Sequence, residues 1–245
     1  MSSGAAPIEK SLSREKRERI RAQALAETPQ WYNPYLHLAV PSLVSIALIA
    51  AAVSGLQNIE WWELLAVPVA WIFINAIEWS IHRDLMHRWH PLTQSAYAHH
   101  TPEHHMIYVN DDMWIHAPRE IRLVLIRAFG LLQLAVLLLL PITALLWIAG
   151  FRNVALLYLA TATAYLTCYE WLHLACHFPA DSRIAGFGPL RILRRNHAIH
   201  HDPRLMQRCN FNVTLPFWDW AMGTFMGDQE QALALVRAGQ VAHRE

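Results

Sequence analysis

Four long apolar runs, separated by polar stretches, dominate the sequence. The first pair covers residues 38–56 and 60–81, with only a short polar break between them. The second pair covers residues 123–149 and 153–172, joined by the turn AGFRN. Each run is close to or longer than the ~20 residues that a helix needs to cross the hydrocarbon of a bilayer. The pattern predicts an all-α integral membrane protein with four transmembrane helices in two hairpins. A soluble helical bundle, the alternative, rarely contains four nearly uncharged runs of this length.

The polar parts of the chain predict the rest of its organisation. Residues 1–35 form a polar, basic amino-terminal segment, in which a solvated or surface-lying helix precedes the aromatic residues that begin at Trp31. This segment does not resemble a signal peptide, since the apolar run begins too late and continues too long. Residues 36–227 then form the membrane domain, and residues 228–245 form a carboxy-terminal tail.

The basic residues indicate which side of the membrane the polar segments occupy. With four spans, both termini and residues 82–122 lie on one side. Residues 1–35, 82–122 and 172–245 contain 6, 4 and 8 Lys and Arg residues, which is 18 of the 20 in the chain. The positive-inside rule places this side in the cytoplasm. The low lysine and high arginine content favours a bacterial plasma membrane, with the endoplasmic reticulum membrane as the location in a eukaryote.

The composition agrees with a membrane protein and excludes several other classes. Hydrophobic residues make up 54% of the chain and charged residues only 16%, against about 25% charged in a soluble domain. The net charge of +1 gives no reason to expect nucleic-acid binding. Three cysteines without a C-x-x-C spacing imply no disulfide framework. The excess of histidine, 15 residues, is the feature that these numbers leave unexplained.

Thirteen of the 15 histidines lie between His82 and His201, and all of these but His116 fall in four clusters. The clusters are IHRDLMHRWH, AHHTPEHH, EWLHLACH and RNHAIHH. Residues three or four apart share a face of an α-helix, so such histidines are expected to project together. His82 and His87 are five apart, about 140° around a helix, and could share a metal only from a π-bulge or a helix end. Groups at the favourable spacing are His100 with His104, His173 with His177, and His197 with His200 and His201.

All four clusters fall on the cytoplasmic side of the predicted bundle, where about ten imidazoles can converge. Ten ligands exceed the four that one zinc ion takes, so two metal ions are expected. Imidazole binds zinc, copper, iron and nickel, and spacing alone does not choose among them. The chain contains no H-E-x-x-H, G-x-S-x-G, P-loop or dinucleotide-binding motif. A membrane metal carrier, the alternative from another class, needs polar ligands near the midplane of the spans, whereas these histidines gather at one edge.

The order of the clusters resembles the histidine boxes of the fatty acid hydroxylase superfamily, membrane di-iron oxygenases that include the sterol desaturases. The boxes H-x4-H, H-x3-HH, H-x3-H and H-x2-HH are most similar to the fatty acid 2-hydroxylase branch, as are HRDLMH, YEWLHLACHFP and NHAIHH. NFNVTLPFWDWAMGTF, residues 210–225, resembles the closing signature of the family, and the likeness covers residues 40–227. The H-x3-HH spacing is usual in membrane desaturases and alkane hydroxylases, which leaves the branch open.

The resemblance implies metal ligands position by position. His99 and His100 are alternatives for one of these positions. Asp219 in the closing signature is expected to be a structural anchor. The histidines that match no box, and are expected to be structural, are His37, His90, His116 and His243. The candidates for orienting a ligand through its second ring nitrogen are His99, Asp84, Glu170 and Asp202. The implied ligands are His82, His87, His100, His104, His105, His173, His177, His197, His200 and His201.

The resemblance also implies an activity, an O2-dependent oxidoreductase that hydroxylates a fatty acyl or related lipid as a monooxygenase. The implied cofactor is two iron ions; zinc does not cycle electrons, so zinc in a purified sample would indicate replacement. The expected partners are the lipid substrate, O2 and the bilayer. A separate cytochrome b5- or ferredoxin-type donor with its reductase is also expected, because residues 1–35 are too short for a fused cytochrome b5 domain. A sterol or carotenoid hydroxylase or desaturase is the alternative. The lipid head group is expected near Arg83, Arg119 or Arg194.

Overall fold

The computed structural model describes residues 12–109 and 111–238, and throughout these ranges the chain is helical without a β-strand. The all-α prediction is therefore confirmed for this part of the chain. Within these ranges, three helical segments are long and apolar enough to cross a membrane: Pro34–Ser54, Trp61–Met86 and Pro118–Ile148. The α-helices are α1 (Arg14–Ala26), α2 (Pro34–Ser54), α3 (Ala66–Ile81), α4 (Gln94–His99), α5 (His105–Ile107), α6 (Ile121–Val124), α7 (Ala128–Leu134), α8 (Leu140–Ile148), α9 (Arg152–Cys176), α10 (Gly188–His200), α11 (Phe217–Ala221) and α12 (Gln229–Arg237).

Short helical turns of other kinds extend several of these helices. Residues Trp61–Leu65 form a 3-10 turn that leads into α3. Three π-helical turns occur, at His82–Met86, His100–His104 and Ala135–Leu139. The first two contain candidate metal ligands, and π turns within helices are frequently found at functional sites.

Helix α9 occupies the centre of the bundle, where it packs against α2, α3 and α8. Twelve of its 25 residues are buried, whereas Ala52 is the only buried residue in α2. Small buried residues such as Ala155 and Ala162 allow the neighbouring helices to approach closely. The fourth apolar run of the sequence forms this helix, but α9 is not among the three segments apolar enough to qualify as spans. Its polar residues are compatible with its position, because the surrounding helices shield it.

The amino-terminal helix α1 is exposed along much of its length, but one side of it packs against the rest of the protein, with Arg17, Arg21 and Ala24 buried. Its Ala24 joins a buried apolar cluster with Ile107, Leu123 and Leu174. The Arg17 guanidinium donates to both carboxylate oxygens of Asp111, at 2.6 and 2.8 Å. Helix α1 is therefore part of the same core that supports the second histidine-rich segment.

The carboxy-terminal residues also pack against the rest of the protein. Ala232 and Leu233 of α12 are buried together with Ile199 of α10, Leu205 and Cys209. The predicted tail thus contains a docked helix. Its last histidine, His243, lies outside the described residues.

Candidate metal centre

Ten buried histidines form two groups of five, and within each group one nitrogen per ring lies within 4.8 Å of the others. These are the ten histidines that the family resemblance implies as ligands. We name the groups the first and second histidine clusters. The first cluster contains His82, His87, His100, His105 and His200. The second cluster contains His104, His173, His177, His197 and His201.

The π turns explain how histidines five positions apart come together. In a π turn the backbone hydrogen bonds run from residue i to i+5 rather than i+4. The turn over His82–Met86 brings the rings of His82 and His87 into a stack with centroids 5.0 Å apart. The next π turn brings the rings of His100 and His105 edge to face, with centroids 4.6 Å apart. The first cluster therefore depends on two π turns that face each other.

Helix α10 lies between the two clusters and contributes histidines to both. His197 and His201, one turn apart, belong to the second cluster, while His200 belongs to the first. The rings of these three histidines lie together as the spacing suggests, with centroids between 4.4 and 6.0 Å apart, yet they are divided between the two clusters. The adjacent residues His104 and His105 are divided in the same way. The rings of His105 and His201 stack across the boundary with centroids 4.0 Å apart.

Main-chain carbonyl groups orient half of the ten rings. A carbonyl oxygen only accepts, so the Nδ1 atom that contacts it carries the proton and the Nε2 atom has a free lone pair. Two of these acceptors, the carbonyls of Phe211 and Cys209, lie in the closing signature or directly before it. The Nδ1–carbonyl pairs are His82 with Phe211, His200 with Cys209 at 2.8 Å, His104 with Leu123 at 2.9 Å, His177 with Met113 at 2.7 Å and His201 with Tyr108 at 2.7 Å.

The Nε2 atoms of several rings face one another at short distances. His82 Nε2 lies 2.8 Å from His100 Nε2, and His87 Nε2 lies 3.0 Å from His200 Nε2. In the second cluster, the buried Nε2 atoms of His104, His173 and His201 have no hydrogen-bond partner. Burial of unpartnered polar atoms is unfavourable, and converging lone pairs are the arrangement that a metal cation satisfies. The residues present therefore fit two metal ions, one in each cluster.

The imidazole rings do not relieve this convergence of lone pairs by taking up protons. Burial, together with the neighbouring imidazoles, lowers the pKa of most of these rings well below the ordinary value near 6.5, so they are neutral at physiological pH. Burial lowers the pKa of His177 to about 3. The same direction and causes hold for His87, His100, His104, His105, His197, His200 and His201.

The candidates for orienting groups have other partners. His99 Nε2 contacts the Leu125 carbonyl at 3.1 Å, so the structure brings His100 rather than His99 into the cluster. Asp84 pairs with Arg83, and Glu170 accepts the Ile126 N–H at 3.2 Å. Asp202 accepts hydrogen bonds from Arg204 and Gln229. The groups that orient five of the rings are main-chain carbonyls, which no side-chain pattern reveals, and Thr101 Oγ1 lies 3.2 Å from His87 Nδ1.

The structure also places the histidines outside the boxes. His37 lies between the Tyr32 hydroxyl and the Ile126 carbonyl, at 2.9 and 3.2 Å. His90 accepts the Leu92 N–H, and His116 contacts Asp112 at 2.8 Å. None of these three belongs to either histidine cluster.

Two carboxylates, the buried Asp219 and the half-buried Glu78, hold the segment that carries the Cys209 and Phe211 carbonyls. Asp219 accepts the N–H groups of Phe211 and Asn212 at 3.0 and 2.8 Å, and is a structural anchor as the sequence suggests. Glu78 of α3 accepts the N–H groups of Val213 and Thr214 at 2.6 and 3.2 Å. Glu78 lies near the end of the second apolar run of the sequence, and in the structure it anchors backbone. The signal that could have identified this role is a carboxylate within an apolar helix, which requires several donors.

A narrow apolar cavity of about 50 Å³ reaches the first cluster at His82. It lies between α3, residues 126–138 and α9. A larger groove of about 320 Å³ lies on the other side of the same segment, between α2 and α9. Aliphatic side chains make up most of both linings, with a minority of polar and aromatic residues.

The three arginines suggested for the lipid head group have protein partners. Arg119 donates to the carbonyls of Thr28 and Pro29, at 3.0 and 2.8 Å. Arg194 donates to the carbonyls of Ala175 and Phe178, both at 2.8 Å. Arg83 pairs with Asp84 and stacks on the Trp79 ring. These contacts give Arg119 and Arg194 structural roles.

Comparisons with known proteins agree with this geometry. The sequence model of the family described as fatty acid hydroxylase matches residues 67–224. Among solved structures, the chain is similar to full-length Scs7p, in which only the hydroxylase domain is visible. The TM-score is 0.54 at 20% identity, covering 79% of this chain and 67% of that chain, so the likeness concerns the fold. A search of curated proteins finds no match.

Proposed function

Because the chain belongs to the fatty acid hydroxylase family, we propose that it is an O2-dependent monooxygenase that hydroxylates a C–H bond of a fatty acyl or related lipid. The observation that carries the proposal is the pair of histidine clusters, five neutral imidazoles each, with lone pairs converging in a buried interior. A redox-active metal is required for this chemistry, and we propose one iron ion in each cluster. Two bound iron ions would activate O2, and a separate protein would deliver the electrons.

The residues of the chain have distinct tasks in this proposal. The carbonyls of Phe211 and Cys209 hold His82 and His200 in the tautomer that leaves Nε2 available as a ligand. The ten rings are almost completely buried, which excludes bulk water from the centre. The mainly aliphatic wall of the cavity at His82 presents an apolar surface to a hydrocarbon segment beside the first cluster.

We also propose that α9 is a fourth transmembrane helix, so that the helices form two hairpins. Its 25 residues correspond to about 37 Å at 1.5 Å per residue, enough to cross the hydrocarbon core. The histidines that follow α3 belong to the first cluster, and those at the end of α9 belong to the second. Because the two clusters are adjacent, α3 and α9 end at the same end of the bundle. The distribution of Lys and Arg favours the cytoplasm for this end. We propose a bacterial plasma membrane as the location, or the endoplasmic reticulum membrane in a eukaryote.

The test is expression in a lipid-producing host, comparing the lipids made with the wild type and with His200→Ala. An O2-dependent hydroxylated lipid should accumulate with the wild type and be absent with the variant. His90→Ala is the matched control, because His90 belongs to neither cluster, and it should preserve the product. Purified wild type should contain two iron ions per chain. Identical lipid profiles, together with iron-loaded protein that accepts no reducing equivalents, would contradict the proposal.

A further inference from the structure

His87 is held differently from the five rings whose Nδ1 atoms contact main-chain carbonyls. Its Nδ1 atom lies 3.2 Å from the hydroxyl oxygen of Thr101, and its Nε2 atom lies 3.0 Å from Nε2 of His200 in the first cluster. Thr101 is 5% exposed and His87 is 2% exposed, so bulk water does not compete for the contact between them. A hydroxyl group beside an imidazole can either donate or accept, and the other contact of Thr101 decides between these roles.

The hydroxyl proton of Thr101 is directed at a carbonyl group. Thr101 Oγ1 donates to the Met86 carbonyl at 2.7 Å, the usual distance for a hydrogen bond from a hydroxyl group. A hydroxyl group has one proton and two lone pairs, so Oγ1 faces His87 as an acceptor. The Nδ1 atom of His87 then carries the proton and its Nε2 atom has the lone pair, as in the five rings that carbonyl groups orient.

The same hydroxyl group joins the two π turns of the first cluster. Met86 is the last residue of the turn His82–Met86, and Thr101 is the second residue of the turn His100–His104. Pro91 lies five positions after Met86 and has no N–H group, so the i+5 pattern of the π turn provides no donor for the Met86 carbonyl. Thr101 supplies a donor from the facing turn, and it thereby fixes the backbone next to His87 as well as the ring.

We propose that Thr101 is a positioning residue, whose hydroxyl group holds His87 with Nε2 directed into the first cluster and available as a ligand. The inference rests on the proposed metal centre and concerns its first cluster only. Without the hydroxyl group, the Nδ1 proton of His87 loses its acceptor in a buried site. The ring then favours a tautomer or rotamer that satisfies this proton elsewhere, at the expense of the ligand atom.

The test compares the wild type with Thr101→Val, which preserves the branched shape of threonine without its hydroxyl group, and with Thr101→Ser, which keeps the hydroxyl group. Chelator competition with the iron-loaded, full-length chain in detergent gives the affinity of each site. The variants His200→Ala and His197→Ala identify which affinity belongs to the first and which to the second cluster. We expect Thr101→Val to weaken iron binding at the first cluster by about 10-fold or more, the usual effect of losing a group that orients a ligand. Thr101→Ser should keep the affinity of the wild type, and the second cluster should be unchanged in both variants.

The tautomer of His87 is a second readout, which depends neither on bound metal nor on activity. Nitrogen NMR of the metal-free, histidine-labelled chain distinguishes a proton on Nδ1 from one on Nε2, and the signals of His87 are those absent from His87→Ala. We expect the Nδ1-protonated form in the wild type and in Thr101→Ser, and a larger share of the Nε2-protonated form in Thr101→Val. Loss of the contact with the Met86 carbonyl alone would lower stability without this change.

Thr28→Val is the matched control. Thr28 is 4% exposed and its hydroxyl group donates to the Ala24 carbonyl at 2.9 Å, while neither residue belongs to a histidine cluster. It should leave both iron affinities and the tautomer of His87 unchanged. Equal weakening of both sites by Thr101→Val, or a wild-type His87 that is protonated on Nε2, would overturn the inference. If the wild type binds no iron, the proposed function fails and the inference fails with it. If the wild type binds two iron ions while Thr101→Val changes neither the affinity nor the tautomer, only the inference about Thr101 fails.

Discussion

Replacing Arg21 by methionine tests whether the amino-terminal helix supports the second histidine cluster. The guanidinium group is 5% exposed and lies 2.9 Å from Asp112 and 3.6 Å from Glu120. Glu120 accepts the Tyr108 hydroxyl at 2.9 Å, and the Tyr108 carbonyl accepts the Nδ1 proton of His201 at 2.7 Å. A chain of direct contacts thus runs from α1 to a ring of the second cluster.

The expected change in the free energy of unfolding follows from the carboxylate that the substitution leaves without its cation. Methionine preserves most of the aliphatic packing but removes the cation, so Glu120, which is 3% exposed, remains buried with its charge uncompensated. Breaking a buried ion pair from one side costs about 3–5 kcal/mol. The pair with Glu18, which is 43% exposed, adds little because solvent screens it. We therefore expect Arg21→Met to lower the free energy of unfolding by about 3 kcal/mol.

Two measurements separate the stability effect from the effect on the metal centre. Chemical denaturation in detergent gives the free energy of unfolding, and chelator titration of the iron-loaded protein gives the affinity of each site. Loss of a group that orients a ligand typically weakens metal binding by about 10-fold or more, and we expect this weakening at the second cluster only. Arg19→Met is the control, because Arg19 is 71% exposed and 3.7 Å from Glu15.

The double variant with Glu120→Gln tests the electrostatic reason directly. If the destabilisation comes from the stranded carboxylate, removal of that charge should recover a large part of the lost stability. An Arg21→Met protein as stable as the control would refute the argument. Equal loss of metal from both clusters would also refute it, since the contacts from Arg21 lead to His201 of the second cluster.

Two further predictions concern buried and exposed carboxylates. Asp219→Asn should destabilise the protein by about 1–3 kcal/mol, because an amide nitrogen would replace one acceptor for the Phe211 and Asn212 N–H groups; thermal unfolding measures this, and an unchanged midpoint would contradict it. The hydrogen bond from Arg17 lowers the pKa of Asp111 below its ordinary value of 3.8. The stability from this pair is therefore present above pH 4 and lost as the pH falls through the lowered pKa. Since Asp111 is 70% exposed, the effect is below about 1 kcal/mol. Unfolding of Arg17→Met should show a correspondingly smaller loss of stability on acidification, and the same acid dependence as the wild type would contradict the assignment.

Local sequence spacing determined the chemical character of the site. The clusters at His82, His100, His173 and His197 mark helix turns that carry imidazoles, and the same ten histidines are gathered in the structure. The apolar runs likewise predicted the helices that surround α9. Both signals are local, because they depend on side chains within a few turns of one helix.

Hydropathy could not show which helix the others would enclose. A window average measures how apolar a run is, whereas enclosure depends on contacts between distant parts of the chain. Helix α9 contains buried polar residues such as Thr163 and Glu170 because α2, α3 and α8 surround it. For the same reason, the sequence did not predict that Arg17 and Arg21 of α1 would be buried against the 108–120 segment.

The sequence by itself determined which residues can bind metal; the tertiary structure decided how they are divided between two clusters. The spacing of His197, His200 and His201 suggests one face, but His200 meets the first cluster and the other two meet the second. Helix periodicity fixes directions relative to one axis only, while the positions of the other axes follow from packing. The carbonyls of Phe211 and Tyr108 that orient the rings belong to the main chain, which every residue has, so only the folded path of the chain selects them.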